Sequence, residues 1–166
     1  MHPVKLPIIY SDTFLDHQTG SFHPEQPGRL TAIVKALRHS SWQDRLEWCD
    51  PTPLSQRDIV QEVQRFHTPE YVARVKSISE LGGGGIDADT TVSPRTYEVA
   101  LLAVSAWLDG IDRAIASGEP VFVAARPPGH HALARRGMGF CIFSNAAIAA
   151  LYALDKPGIE RVAILD

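Results

Sequence analysis

The chain has 166 residues, of which 45% are hydrophobic, enough for one compact domain with an ordinary core and too few for two. Its 16 Lys and Arg against 19 Asp and Glu give a net charge of −3, which argues against a basic face built to grip nucleic acid. Two cysteines, Cys49 and Cys141, rule out a disulfide scaffold or a Cys-rich zinc module and fit a reduced, cytoplasmic chain. Residues 1–7 show no apolar leader. The longest apolar stretches, residues 99–108 and 146–154, fall short of the roughly 18 residues a membrane span needs.

In chain order, Pro7-Ile8-Ile9-Tyr10 predicts a short buried strand, followed by a polar, histidine-bearing loop over residues 11–26. Pro27 suits the first turn of a helix whose apolar face is Leu30, Ile33, Val34 and Leu37. Leu46–Cys49 is a second short strand. Ser55, with Asp58 three residues on, predicts a capped helix carrying Ile59, Val63 and Phe66. Thr68-Pro69-Glu70 repeats the cap-then-proline pattern before Tyr71, Val72, Val75 and Ile78. The glycine run 82–85 reads as a rim loop, since no Gly-Lys-Ser/Thr follows to make a phosphate cradle. Asp87 and Asp89 lack the other ligands of a calcium loop.

Ser93-Pro94 starts the longest helix, striped by Tyr97, Leu101, Val104, Leu108, Ile111 and Ile115 and ended by Ser117-Gly118. Val121-Phe122-Val123-Ala124-Ala125 predicts a strand buried on both faces. A long loop, the helix Asn145–Leu154 and a second apolar strand over residues 161–165 follow. Strand, helix, strand makes a right-handed βαβ unit with parallel strands, so the loop after Ala125 and Asp166 should face one crevice at the carboxyl edge of the sheet. The expected class is α/β, a three-layer αβα sandwich on a mostly parallel sheet.

His130 and His131 stand side by side on a Pro-Gly-stiffened loop at that edge. In extended backbone, neighbouring side chains point to opposite sides, so one ring should face the crevice and the other lean from behind. A carboxylate on a ring N–H fixes the tautomer and raises basicity, and Asp166 is the natural candidate. The plain alternative is that both rings satisfy loop carbonyls. Asp16-His17 and His23 read as surface groups near the rim, and Arg135 and Arg136 as solvated charges.

Arg126-Pro127-Pro128-Gly129-His130-His131-Ala132, then Gly139-Phe140-Cys141-Ile142-Phe143-Ser144-Asn145, then Arg161-Val162-Ala163-Ile164-Leu165-Asp166 resemble the histone deacetylase family in order and spacing. His23-Pro24-Glu25-Gln26-Pro27-Gly28-Arg29-Leu30, His67-Thr68-Pro69-Glu70-Tyr71-Val72 and residues 87–94 extend the likeness over nearly the whole chain. The resemblance implies an arginase-like fold and zinc-dependent hydrolysis of an acyl amide, acetyl-lysine or a small acetylated amine, releasing acetate. By the same resemblance His131 is the general base and acid and His130 its electrostatic partner. Asp166 supports His130 and is a candidate ligand of a monovalent cation such as K+. Gly139, Phe140 and Cys141 line the acyl tunnel. Arg29 matches a buried arginine by an acetate-exit cavity, with a surface helix position as the alternative reading.

The family's zinc ligands are expected after Asp166, so residues 1–166 read as the N-terminal part of one deacetylase domain, cut after a central strand and inactive alone. The competing readings are a non-catalytic interaction or homo-oligomerising module and an arginase-like hydrolase. The two-metal pattern of an arginase is not suggested by this histidine loop. The expected partner is the acetylated substrate, with no direct contact to nucleic acid or membrane.

Overall fold

A computed structural model describes residues 5–166; Met1–Val4, part of the stretch read for a leader, lie outside it. The central sheet has three strands in the order β2-β1-β5: β1 (Leu6–Ile9), β2 (Leu46–Cys49) and β5 (Phe122–Val123). Both ladders are parallel, with Leu6 opposite Leu46 and Ile9 opposite Val123. Ile8 and Ile9 are adjacent, so their side chains leave opposite faces, yet both are wholly buried. The sheet is therefore covered on both sides, as parallel sheets generally are.

The helices are α1 (Pro27–Arg38), α2 (Ile59–Gln64), α3 (Pro69–Glu80), α4 (Thr96–Ser117) and α5 (Asn145–Leu154). Pro27 and Pro69 occupy first-turn positions, where a missing N–H costs nothing, and the Thr68 hydroxyl accepts from the Tyr71 N–H to cap α3. Gly118 ends α4 in the left-handed conformation, φ +71°, and its N–H closes on the Ala114 carbonyl.

Helix α4 divides the interior. Its Val99, Ala103 and Ala106 pack with Ile8, Ile9, Phe14, Leu30 and Val34 on the sheet side. Its Leu101, Val104 and Leu108 pack with Val63, Val72, Phe143 and Ile148 on the other. No helix among the described residues is long and apolar enough to cross a membrane.

Four local expectations are corrected. Asp58, not Ser55, caps α2 by accepting from the Gln61 N–H, because residues 54–56 form a separate 3-10 turn. The glycine run is not all loop: Gly84–Gly85 (β3) pairs antiparallel with Thr91–Val92 (β4) in a small hairpin. Its backbone N–H and C=O groups find ladder partners there, which glycine's freedom permits. In the run 121–125 only two residues pair, and Phe122 is 42% exposed, because β5 has no ladder neighbour on its outer side among the described residues. Residues 161–166 are exposed and pair with no strand of the sheet among the described residues.

Candidate active site

The loop between β5 and α5 carries the histidine pair, and its shape is fixed by close backbone approaches. Residues 129–132 make a turn closed by the Ala132 N–H on the Gly129 carbonyl. A Cβ on Gly129 would lie 2.3 Å from the Phe143 carbonyl oxygen and 2.5 Å from the Asn145 nitrogen, so only glycine fits. The turn also corrects the expectation of opposed rings. His130 and His131 lie together, centroids 4.2 Å apart and planes tilted by 53°, because a turn does not alternate side chains as a strand does.

The two rings nevertheless have different surroundings. His130 lines a cleft of about 740 Å³ with Val123, Ala125, Asn145, Leu165 and Asp166. The His131 ring lies on Gly139, where a Cβ would come within 2.7 Å of its Cδ2. Gly139 has φ +56°, a second reason for glycine there. The His131 N–H donates to the Sγ of buried Cys141 at 3.4 Å. Burial pushes the Cys141 thiol pKa up, so it stays protonated and acts as a small apolar group.

Asp166 shares the cleft with His130 but is exposed, and among the described residues no hydrogen bond joins it to either ring.

Phe140 takes φ +69°, an uncommon conformation for a residue with a Cβ and a local strain of roughly 1–3 kcal/mol. Its N–H donates to the Thr90 hydroxyl at 3.1 Å, and the His23 ring stands edge-on to it at 4.7 Å. His23 is itself fixed. Its Nδ1 lies 2.9 Å from the Glu25 carbonyl oxygen and 3.1 Å from the Glu25 amide nitrogen, and its Nε2 lies 3.0 Å from the Asp89 carbonyl oxygen. His23 thus joins Phe140 to the backbone of Asp89.

Beneath the loop lies a polar network that the sequence reading did not find. Arg126, the first residue of the loop, is 4% exposed and forks onto Glu25, 2% exposed, at 2.6 and 2.7 Å. Its remaining Nη1 donates to the carbonyls of Phe14 and His17, both at 3.0 Å. One guanidinium thus ties the His-Pro-Glu segment and the 3-10 turn Asp12–Asp16 to the start of the histidine loop.

His17 is buried, not a surface group, and its Nδ1 pairs with the Thr96 hydroxyl at 2.8 Å. Burial first, then the charges of Arg126 and His23, push its pKa down to about 3. It is neutral at ordinary pH. Arg29 is exposed on α1, so the surface alternative holds for it, and the buried arginine of this chain is Arg126. A charged residue between an apolar run and Pro-Pro was the available signal for Arg126. Arg135 and Arg136 are exposed as expected.

A second brace comes from the His67 segment. The Ser144 N–H donates to His67 Nε2 at 2.8 Å, so Nδ1 carries the proton and donates to the Ala134 carbonyl at 3.3 Å. Burial holds the His67 pKa down at about 4. The Thr68 N–H also donates to Ala134, and the Tyr71 hydroxyl donates to the Ile142 carbonyl at 2.7 Å. No buried side-chain polar atom among the described residues lacks a partner.

No group of three or more His, Cys, Asp and Glu side chains among the described residues could hold a metal ion. The residues present therefore do not fit a zinc site by themselves. Chemically, the arrangement offers two adjacent imidazoles beside an open cleft, with a rigid glycine and aromatic wall on one side.

Comparison with known proteins accounts for this arrangement. The family described as histone deacetylase domain matches residues 23–166. An uncharacterised protein of Synechocystis sp. is 55% identical over 159 residues, covering 96% of this chain and 52% of that protein. The histone deacetylase-like amidohydrolase of Pseudomonas aeruginosa is 32% identical, covering 99% of this chain and 42% of that protein. The chain thus spans about half the length of the curated relatives it matches. The crystal structure of the HDA15 HD domain superposes with a TM-score of 0.80 at 31% identity, over 90% of this chain and 43% of that one. A parallel sheet sandwiched by helices, a His-His turn at its carboxyl edge and a family match running from His23 to Asp166 agree, and the chain belongs to the histone deacetylase family.

Proposed function

We propose that the protein hydrolyses an acyl amide, an acetyl-lysine side chain or a small acetylated amine, to acetate and the free amine. The observation that carries this reading is the pair of imidazoles held 4.2 Å apart between the cleft and the Gly139-Phe140 wall. His131 is the general base and acid. A ring nitrogen takes a proton from the attacking water as oxygen bonds to the amide carbon, then gives it to the amine nitrogen as the C–N bond breaks. His130, its ring centroid 4.2 Å from that of His131, is the electrostatic partner of that base. Gly139 and Phe140 flank the acyl-bearing chain: glycine lets backbone come close, and the aromatic ring offers an apolar surface to methylenes. Asp166, which shares the cleft with His130 and makes no hydrogen bond to either ring, is assigned to support His130 and to a monovalent cation such as K+.

Zinc belongs to this proposal as family chemistry, where it supplies a polarised carbonyl and an acidified water. Its ligands are assigned to residues outside those described, and residues 1–166 to the N-terminal part of a single deacetylase domain that does not turn over alone. The sparse cysteines fit work in the cytoplasm.

The test is an assay of the complete or complemented deacetylase domain on acetyl-lysine peptides and acetylated amines with added zinc. His131→Ala is expected to lower kcat by about 100- to 10,000-fold. Undiminished turnover in that variant would remove His131 from the chemistry.

A further inference from the structure

The segment His67-Thr68-Pro69-Glu70-Tyr71 lies far from the histidine pair in sequence and lines no part of the cleft, yet four of its groups, the Thr68 N–H on the Ala134 carbonyl among them, hold the histidine loop. We propose that His67, assisted by Tyr71, is a positioning residue that sets where His130 and His131 stand. The inference rests on the deacylase reading above for its catalytic consequence, and on geometry alone for its structural one.

The path from His67 to the pair is short and made of contacts that cannot slacken. His67 is 1% exposed and packed between the rings of Phe66, Tyr71 and Phe143, at centroid distances of 4.9, 5.2 and 5.3 Å. Its Nε2 fixes the Ser144 amide and its Nδ1–H the Ala134 carbonyl, the two flanks of the segment that contains the site wall. Tyr71 fixes the Ile142 carbonyl between them. Gly129 then sits hard against the Phe143 carbonyl and the Asn145 amide, the residues on either side of Ser144. Any shift of residues 143–145 must move Gly129, and Gly129 is bonded to His130. On the other flank Ala134 stands three residues after His131 in the same loop, whose Leu133 and Arg136 pair back to back. His67 thus pins both flanks of the turn that carries the pair without touching either ring.

The alternative is that His67 merely fills and satisfies the core. The two roles separate in a folded variant. His67→Leu removes both hydrogen bonds and keeps much of the volume; His67→Gln keeps one donor and one acceptor; Tyr71→Phe keeps the ring and removes one bond. The protein's seven histidines are labelled with 15N, and their ring signals are assigned with His130→Gln and His131→Gln.

In variants that still melt cooperatively, His67→Leu and Tyr71→Phe are expected to shift the His130 and His131 ring signals, with His67→Gln returning them toward wild type. Because misplacement of about 1 Å costs up to about 100-fold in rate, kcat of the complete or complemented domain should fall about tenfold or more with His67→Leu, with KM changed by less than about threefold. Unchanged His130 and His131 signals in a folded His67→Leu or Tyr71→Phe protein would overturn the proposal. If His67→Leu does not melt cooperatively, Tyr71→Phe and His67→Gln decide by the same signals. If the complete or complemented domain cleaves no acyl amide, the deacylase reading fails, while the ring signals still decide whether His67 positions the pair.

Discussion

Glu25→Gln tests the network beneath the histidine loop with one atom changed. The carboxylate of Glu25 accepts from Arg126 Nε and Nη2 at 2.6 and 2.7 Å, and both side chains are almost wholly buried. In the variant one oxygen becomes an NH2, which points donors at a donor and leaves the guanidinium charge without its counter-charge. Breaking a buried pair by neutralising one member costs about 3–5 kcal/mol, because the remaining charge stays desolvated. For a chain of this size each kcal/mol moves Tm by about 2–4 °C, so a fall of about 6–20 °C is expected.

The double variant Glu25→Leu with Arg126→Met removes both charges and should recover part of that loss. Recovery stays incomplete because the carbonyls of Phe14 and His17 lose their donor, at about 1–3 kcal/mol each when buried. Differential scanning calorimetry of the three proteins reads both numbers. A Tm for Glu25→Gln within about 2 °C of wild type would show that water or a rearranged loop compensates the charge, and the reasoning from burial would be wrong.

Acid should unfold the protein through its buried imidazoles. His17 and His67 are neutral when folded, with pKa values of about 3 and about 4, against 6.5 when free. The unfolded chain binds more protons below 6.5, so their contribution is full above that pH and is lost as pH falls toward 4 and then 3, on the order of 3 kcal/mol each by about pH 4. Urea midpoints measured from pH 7.5 downward should fall in that window, and His67→Gln should flatten the curve; a flat wild-type profile would contradict it. Gly139→Ala forces a Cβ into the left-handed region and against the His131 ring. It should cost about 1–2 kcal/mol of stability and displace the His131 ring signal, and an unmoved signal would refute the contact.

Local chemistry wrote much of the scaffold into the sequence. Pro27 and Pro69 marked helix starts, Gly118 a helix end, and Asn145–Leu154 appeared within its observed bounds. The same rules failed where a neighbour in space decided the outcome. Residues 161–165 have the composition of a buried strand, yet they pair with no strand among the described residues, and composition alone does not supply the ladder that a strand's backbone groups need. His17 looked like a loop histidine because nothing near it in sequence reveals Thr96 or Arg126. The histidine pair was legible as residues and as an edge location, while the placing of its rings depended on a turn and on Gly139. The resemblance to the deacetylase family supplied roles that periodicity alone could not.

The Glu25–Arg126 bond spans 101 residues of chain, and the His67–Ser144 bond 77. Closing loops of that length spends chain entropy before any contact repays it, so such contacts form slowly relative to the turns of a helix. The other four helices can therefore form and gather around α4 while the histidine loop is still unplaced. The site becomes competent only when the two distant anchors arrive together, which makes its assembly one of the last acts of folding.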